Sequence, residues 1–291
     1  MATVLVTGSS SGFGELTVKT LASHGHRVYA SMRDVSVRNA EAAQRLKSWA
    51  DETGSDLRVV ELDVSEDVSV DAAVKRILAE SAAVDVVVNN AAANSAGPLE
   101  AFSIDQMATI LDRNVLGPMR VNKAVLPSMR ARRSGLIIWV TSTLGRILAG
   151  RGGLYPASKW AAEGFAESLH YQVAPFSIDV VILEPGSFPT PIHSKAMPAE
   201  NTAIAAEYAQ VAPSAQRAQP PPEYRPPDPQ EVADAVLQLM DLPAGQRPLR
   251  HVVGPVFTEG VADYNQTYER VRTHLQAALQ RPDQAITWSR R

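Results

Sequence analysis

Short, uninterrupted runs of aliphatic residues recur along the chain and are separated by longer segments whose apolar residues fall at helical spacing. Val86-Val87-Val88 and Leu136-Ile137-Ile138 are two such runs. A strand with one face in water alternates apolar and polar residues, whereas a strand covered by helices on both faces does not. The pattern therefore predicts an α/β fold with a doubly wound parallel sheet and helices on both faces.

The predicted strands are Val4–Thr7, Arg27–Ser31, Asp56–Leu62, Val84–Asn89, Leu136–Thr141, Ile178–Leu183 and Arg250–Gly254. The predicted helices are Leu16–His24, Asn39–Glu52, Ser65–Ser81, Ile104–Arg130, Leu154–Ala174, Pro229–Leu242 and Glu259–Leu279. Ser65 and Ser103 are expected to be N-caps, since a hydroxyl oxygen can accept a free backbone N–H of the first turn. Gly117-Pro118 is expected to bend the long helix that contains it.

We expect all 291 residues to form a single domain, because no internal repeat or second domain is visible. Residues 213–229 are rich in proline, which favours extended chain. We therefore expect residues 190–229 to form a mobile substrate lid. Residues 230–291 are expected to close the domain as a helix, a strand and a final helix.

Charge and composition exclude several classes of function. The formal net charge of −3 provides no basic surface for nucleic acid, and the absence of cysteine excludes disulfides and thiolate catalysis. The six histidines show no metal-ligand spacing, so no metal is expected. No signal peptide is visible, and no apolar stretch approaches the roughly 20 residues of a membrane span. A cytoplasmic location without a membrane span is therefore expected.

A glycine-rich turn, Thr7-Gly8-Ser9-Ser10-Ser11-Gly12-Phe13-Gly14, links the first predicted strand to a helix. Glycines allow a sharp turn and let backbone N–H groups approach a pyrophosphate at the positive end of a helix. Such a turn can also be glycine-rich for steric reasons alone. Its TGxxxGxG spacing resembles the loop of the short-chain dehydrogenase/reductase family, a family with a Rossmann fold, and differs from the GxxGxxG of the extended, epimerase-like branch.

The end of the second strand bears on the choice of nicotinamide cofactor. In the resemblance, Met32 falls where NAD-binding members carry an acid, and Arg33 follows it. A guanidinium there resembles the NADP-preferring members, because it can pair with a 2′-phosphate through two charge-assisted bonds. The alternative is that Arg33 is a solvated loop residue and that Asp34 supplies the acid in a shifted register.

Tyr155 and Lys159 form a YxxxK pattern, and the spacing of four residues puts both side chains on one helix face. The phenol and the ammonium can form an acid/base pair, since a nearby positive charge favours the phenolate. By itself the pattern is common, and an ordinary packing role is the alternative. The family resemblance implies that Tyr155 transfers the proton in catalysis.

The same resemblance assigns two more catalytic residues. Ser142 stands 13 residues before Tyr155, where the family has a serine that holds the substrate oxygen. Thr141 and Thr143 are its competitors in the same segment. Asn114 matches the family's helical asparagine, which holds a water in a proton relay through the lysine. An ordinary polar contact is the alternative for Asn114.

The resemblance also implies the remaining cofactor contacts. Asp63 matches a residue that contacts the adenine, and Pro185-Gly186-Ser187-Phe188-Pro189-Thr190 matches PGxxxT beside the nicotinamide. Asn89-Asn90-Ala91-Ala92 matches the family's NNAG, except that Ala92 replaces the glycine. The full set of cofactor residues expected is Gly8, Ser10, Ser11, Gly12, Phe13, Gly14, Arg33, Asp63, Val64, Asn90, Ala91, Tyr155, Lys159, Pro185, Gly186, Phe188 and Thr190.

The resemblance therefore implies an NADP(H)-dependent oxidoreductase, of carbonyl reductase type, that acts on an alcohol or carbonyl substrate. A cofactor sensor or scaffold without turnover, or a cofactor-retaining epimerase or dehydratase, is the alternative. A homodimer or homotetramer is expected from the family. A hydrophobic substrate is expected, in a pocket whose candidate walls are Leu144, Ile147, Leu148, Leu154, Phe188, Ile192, Met197 and Tyr208, with His193 near a polar group.

Overall fold

The structure, a computed structural model, describes residues 1–148, 153–211, 226–255 and 258–278. Its nine strands within those ranges are β1 Thr3–Thr7, β2 Arg27–Met32, β3 Leu57–Glu61, β4 Val86–Asn89, β5 Ser95–Ala96, β6 Gly135–Val140, β7 Ile178–Pro185, β8 Met197–Pro198 and β9 Arg250–Val253. The helices are α1 Gly12–Ser23, α2 Ala40–Thr53, α3 Asp67–Ser81, α4 Ile104–Leu111, α5 Gly117–Arg132, α6 Leu154–Val173, α7 Thr202–Val211, α8 Gln230–Asp241 and α9 Thr258–Ala278.

Seven of these strands form one parallel sheet, in the order β3-β2-β1-β4-β6-β7-β9. The chain winds outward from β1 to β3 and then returns to place β4 on the other side of β1. This reversal leaves a crevice at the carboxyl ends of β1 and β4, which is where ligands bind in open α/β sheets. The predicted doubly wound Rossmann architecture is confirmed.

Helices cover both faces of the sheet, so alternate residues of each strand enter different cores. Val4 and Val6 pack with α1, α2 and α8, whereas Leu5 packs with α3, α5 and α6. The same division separates Ile138 from Ile137 on β6. Both sets are fully buried, which explains why these strands carry no polar alternation.

The segment predicted as one helix from Ile104 to Arg130 is divided in the structure. A π-helical turn, Asp112–Leu116, separates α4 from α5, so the irregularity precedes Gly117-Pro118 instead of lying at it. Ser103 caps α4 with a complete capping box together with Gln106, as expected. The prediction for Ser65 is wrong: α3 begins at Asp67, with Glu66 as its N-cap residue.

The described part of the predicted lid is more regular than its proline content indicated. β8 pairs with the two-residue strand β5, and the helix α7 follows it. Thr202–Val211 carries no proline and forms helix, so this part of the predicted lid is not extended chain. Residues 212–225, which include most of the proline-rich stretch, lie outside the described residues, as do 149–152 and the predicted helix end at Leu279.

Candidate active site

The glycine-rich turn after β1 is shaped by three glycines. Gly8 and Gly12 have positive φ values of 71° and 60°, which side chains with a Cβ rarely adopt. A Cβ on Gly14 would clash with the Gly8 carbonyl oxygen. The turn therefore depends on glycine at all three positions, and it leads directly into the N-terminus of α1, where backbone N–H groups lack intrahelical partners.

Asn90 and Thr7 hold this turn against the neighbouring strand. The Asn90 amide donates to the carbonyl oxygens of Thr7 at 2.8 Å and Gly8 at 3.1 Å. The Thr7 hydroxyl oxygen accepts from the backbone N–H groups of Asn90 and Ala91, both at 3.0 Å. The polar residues of the NNAA segment thus fix the position of the turn.

A cleft of about 460 Å³ opens along the carboxyl ends of the strands, from the loop after β2 to the N-terminus of α6. Its size and its mixture of apolar and polar walls suit a bound organic molecule. The predicted residues that line it are Gly8, Ser10, Ser11, Gly12, Phe13, Arg33, Asp63, Val64, Asn90, Ala91, Ser142, Tyr155, Lys159, Pro185, Gly186, Phe188 and Thr190. Gly14 and Asn114 lie behind the wall instead.

One end of the cleft is rich in guanidinium groups. Arg33, Arg38 and Arg113 all line it, with Asp63 among them at 3.8 Å from Arg33. Burial, followed by the charges of Arg33 and Arg38, lowers the pKa of Arg113, while Asp63 opposes the shift. Asp34 does not line the cleft, although Arg33 does. An anion at this end would relieve the repulsion among the three cations.

The opposite end contains the predicted acid/base pair. Lys159 is 3% exposed, and its Nζ lies 5.6 Å from the centre of the Tyr155 ring. Ser142 is hydrogen-bonded to Tyr155, and its own Oγ accepts from the Leu144 N–H at 3.2 Å. The end of β6 and the start of α6 therefore bring the serine, the tyrosine and the lysine together in one wall of the cleft.

The effect of Lys159 on Tyr155 differs from the expectation. Burial raises the pKa of Tyr155 to about 12, and the hydrogen bond with Ser142 acts in the opposite direction. Burial also lowers the pKa of Lys159 to about 8, while the charge of Glu163 raises it. The Lys159 ammonium donates to the Val140 carbonyl oxygen at 2.9 Å. It lies near the phenol, but it is not among the groups that lower the pKa of Tyr155.

Asn114 occupies the π-helical turn between α4 and α5. Its amide donates to the carbonyl oxygen of Ala93 at 2.9 Å and to Ser158 Oγ at 2.8 Å, and its Oδ1 accepts from the Ala93 N–H at 2.7 Å. Ser158 in turn donates to the Tyr155 carbonyl oxygen at 2.7 Å. Asn114 thus ties the strand-end loop to the first turn of α6, beside the acid/base pair.

Several cleft residues were not found from the sequence. Arg38, Arg113 and Lys195 line the cleft, and Lys195 Nζ donates to Ser11 Oγ at 3.2 Å across the glycine-rich turn. Asn94 also lines the cleft, 3.5 Å from His193, a residue that the sequence did indicate. The newly found residues lie far apart in the chain and form no local motif. Arg113, however, directly precedes Asn114, and this position next to a predicted site residue was a visible signal.

The predicted apolar pocket is only partly formed by the expected residues. Leu144, Phe188 and Ile192 line the cleft. Leu154 and Met197 belong instead to a small separate apolar cluster with Phe102 and Ile110. Leu148 is 61% exposed, and the hydroxyl of Tyr208 bonds Glu100 outside the cleft. Ile147 does not line the cleft either. The spacing of apolar residues in the sequence could not distinguish those that line the cleft from those that pack elsewhere.

Comparison with protein families gives one match that covers most of the chain. The family model described as short chain dehydrogenase matches residues 2–201. Among curated proteins, 3-ketodihydrosphingosine reductase of Bacteroides thetaiotaomicron is 36% identical over 187 residues, covering 64% of this chain and 64% of that protein. Retinol dehydrogenase 8 of Bos taurus is 40% identical over 205 residues, covering 69% and 64%. The match thus spans 64% of the length of both relatives.

Solved structures resemble the chain over a longer range. A short-chain dehydrogenase from Streptomyces avermitilis is 28% identical and covers 99% of both chains, with a TM-score of 0.73. An alcohol dehydrogenase from the archaeon Thermococcus sibiricus, complexed with 5-hydroxy-NADP, is also 28% identical. It covers 87% of this chain and 96% of that one, with a TM-score of 0.70. Within the described ranges, no helix is long and apolar enough to cross a membrane.

Proposed function

Because the chain belongs to the short chain dehydrogenase family, we propose that it is an NADP(H)-dependent oxidoreductase that interconverts an alcohol and a carbonyl compound, with Tyr155 as the general acid and base. The observation that carries the proposal is the wall formed by Ser142, Tyr155 and Lys159 at one end of a cleft whose other parts suit a dinucleotide. Asn114 supports that wall from behind.

The cofactor proposal rests on the fit between a dinucleotide phosphate and the residues of the cleft. The glycine-rich turn leads into the N-terminus of α1, whose backbone N–H groups can bind a pyrophosphate, and its shape requires glycine because a Cβ on Gly8 would lie 2.8 Å from Ala91 Cα. Lys195 adds a positive charge over Ser11 on the other side of this turn. Asp63, Val64, Phe188 and the other lining residues would surround the rest of the molecule.

Preference for NADP(H) over NAD(H) is proposed from the arginines at the adenosine end. A ribose 2′-hydroxyl is neutral, whereas a 2′-phosphate carries charge and accepts bidentate bonds from guanidinium groups. Arg33, Arg38 and Arg113 provide three cations, against the carboxylates of Asp63 and of Asp112, which is itself paired with Arg120. The charge balance of this end therefore favours the phosphorylated cofactor.

The protein's own contribution to the chemistry is a proton and its placement. When bound, the nicotinamide supplies or accepts the hydride. With a pKa near 12, the Tyr155 phenol keeps its proton at neutral pH and can donate it to the oxygen of a carbonyl that is being reduced. Ser142 is hydrogen-bonded to this phenol and can hold the same substrate oxygen. Lys159 adds a positive charge to the same wall of the cleft, with its Nζ 5.6 Å from the centre of the Tyr155 ring.

We propose that the substrate is hydrophobic. Leu144, Phe188 and Ile192 supply apolar surface beside the acid/base pair, while Asn94 and His193 supply a polar edge. Two relatives, 36% identical over 187 residues and 40% identical over 205 residues, are named as a 3-ketodihydrosphingosine reductase and a retinol dehydrogenase. Long-chain ketones and retinoid-like aldehydes are therefore the first compounds to test.

The proposal is tested by Tyr155→Phe in an assay that follows the loss of NADPH absorbance with a panel of apolar ketones and aldehydes. We expect turnover to fall by about 10²- to 10⁴-fold, the usual contribution of a general acid. NADPH affinity, measured by fluorescence, should stay within about twofold because a single hydroxyl is removed. Tyr171→Phe is the matched control, since Tyr171 lies on the same helix but bonds Glu167 away from the cleft.

Three outcomes would contradict the proposal. Turnover by Tyr155→Phe at the wild-type rate would remove the phenol from the mechanism. NADPH binding without turnover of any carbonyl would favour the sensor or scaffold alternative. Conversion of a substrate without net consumption of NADPH would favour an epimerase or dehydratase.

A further inference from the structure

A buried carboxylate, Glu163, lies one helical turn after Lys159 on α6 and does not line the cleft. Its side chain is 3% exposed. Thr141 Oγ1 donates to one carboxylate oxygen at 2.7 Å, and Arg250 Nε donates to the other at 3.0 Å. Thr141 directly precedes Ser142, so Glu163 contacts the segment that carries the proposed substrate-holding hydroxyl.

Two contacts join the end of β6 to α6 at this point. Lys159 Nζ donates to the Val140 carbonyl oxygen, and Thr141 donates to Glu163. The turn after Ser142 packs closely against the same helix: a Cβ on Gly145 would lie 3.1 Å from Glu163 Cγ and 3.2 Å from the Lys159 carbonyl oxygen. Glu163 and Lys159 therefore fix the spacing between Ser142 and Tyr155.

The charged groups around Glu163 come from every element packed against it. Arg250 on β9 and Arg146 after β6 are positive, whereas burial, followed by the charge of Glu163, raises the pKa of Glu184 on β7 to about 8. Lys159 and Glu167 lie on α6 itself, and Arg250 Nη2 also bonds Glu167 at 2.6 Å. Removing one member of such a buried set leaves another charge without compensation, which is strongly unfavourable.

The C-terminal helix α9 completes this set of charges. Asn265 donates to Glu184 at 2.6 Å and accepts from Arg146 Nε at 2.8 Å. The Arg146 guanidinium lies over the rings of Tyr264 and Tyr268, at 4.7 and 4.8 Å from their centres. The Arg250 guanidinium also lies over the Tyr268 ring, 5.1 Å from its centre, so α9 holds both arginines near Glu163 from outside.

We propose that Glu163 is a positioning residue for the reaction: its carboxylate balances the buried Lys159 ammonium and, through Thr141, holds Ser142 in register with Tyr155. The inference rests on the proposed function of these three residues. The charge effect is argued from geometry, because Lys159 and Glu163 are both buried and lie one helical turn apart on α6. In the same sense, burial lowers the pKa of Lys159 to about 8 and the charge of Glu163 opposes that shift. Loss of the carboxylate should therefore let the lysine lose its proton at a lower pH.

The experiment measures the protonation of Lys159 directly in the cofactor-free protein. The chain has six lysines, so their ¹³Cε signals can be followed by NMR through a pH titration, with the Lys159 signal assigned from its loss in Lys159→Met. We expect Glu163→Gln to lower the titration midpoint of Lys159 by about one pH unit, the smaller end of the effect of a nearby opposite charge. Glu167→Gln, which also removes a partner of Arg250, is the matched control and should leave the midpoint unchanged.

Activity gives a second measurement. A midpoint that moves from about 8 to about 7 reduces the protonated lysine about fivefold at pH 8 and hardly at all at pH 6. The loss of kcat in Glu163→Gln should follow this pH dependence. Glu163→Asp keeps the charge but shortens the side chain, and Thr141→Val keeps the charge but removes the hydroxyl. Both should preserve the Lys159 midpoint and lower kcat at every pH.

An unchanged Lys159 midpoint in folded Glu163→Gln, or an equal shift in Glu167→Gln, would overturn the charge balance. Full kcat in both Glu163→Asp and Thr141→Val would overturn the positioning of Ser142, and these two variants remain informative if Glu163→Gln does not fold. The titration needs neither cofactor nor substrate. Wild-type turnover by Tyr155→Phe would therefore contradict the proposed function without affecting the result for Lys159.

Discussion

Replacement of Arg33 by alanine should change the choice of cofactor more than the binding of dinucleotides in general. Arg33 lines the end of the cleft that is proposed to take the 2′-phosphate. NADH has no phosphate there, so its affinity should stay within about twofold, as for loss of an unused charge. NADPH would lose one charge-assisted hydrogen-bonding partner.

The expected loss of NADPH affinity follows from the surroundings of Arg33. A hydrogen bond that involves a charged group contributes about 1.5–3 kcal/mol, which corresponds to roughly 10- to 150-fold in Kd. The Arg33 side chain is 30% exposed and already lies 3.8 Å from Asp63, so water and that carboxylate weaken its effect. Arg113 and Arg38 would also remain. We therefore expect a loss near the lower end, about 10- to 30-fold.

The assay is a fluorescence titration of each protein with NADPH and NADH at low and at high salt. Arg45→Ala is the matched control, because Arg45 is 54% exposed and bonds Glu15 without lining the cleft. Salt screens the attraction between Arg33 and the 2′-phosphate, an attraction that Arg33→Ala lacks. The NADPH affinity of the wild type should therefore fall more steeply with salt than that of Arg33→Ala. Equal losses for NADPH and NADH in Arg33→Ala would refute the assignment of the 2′-phosphate to this end.

Two further substitutions test the local geometry. Gly14→Ala should weaken NADPH and NADH binding by the same factor in that titration, because its Cβ would lie 2.6 Å from the Asn90 amide that holds the turn. Gly164→Ala is the control, since Gly164 lies in a helix with open space around it. Unchanged affinities in Gly14→Ala would contradict the proposed role of the turn in cofactor binding. Ser103→Ala should reduce the free energy of unfolding by about 1 kcal/mol in urea, since the cap of α4 is lost. Ser65→Ala, outside any cap, should cost less, and the reverse order would show that Ser103 does not stabilise α4.

Local patterns in the sequence were sufficient for the sheet and for much of the proposed site. Continuous aliphatic strands such as Val86–Val88 can be satisfied only by cover on both faces, so the layer architecture follows from their composition. The glycine spacing after β1 and the four-residue spacing of Tyr155 and Lys159 depend on geometry within a few residues. Such features are visible before any tertiary contact is known.

Only the tertiary structure showed which distant charges meet. Arg33 and Lys195 come from loops that follow β2 and β7, and Arg113 comes from the π-helical turn between α4 and α5. They line one cleft because the carboxyl ends of parallel strands all open on the same edge of the sheet. The shift in the pKa of Tyr155 and the role inferred for Glu163 depend on burial and on partners such as Arg250, which is 87 residues away from Glu163. Backbone preferences act between near neighbours, whereas solvent exclusion and charge pairing depend on distances in space that the folded chain alone defines.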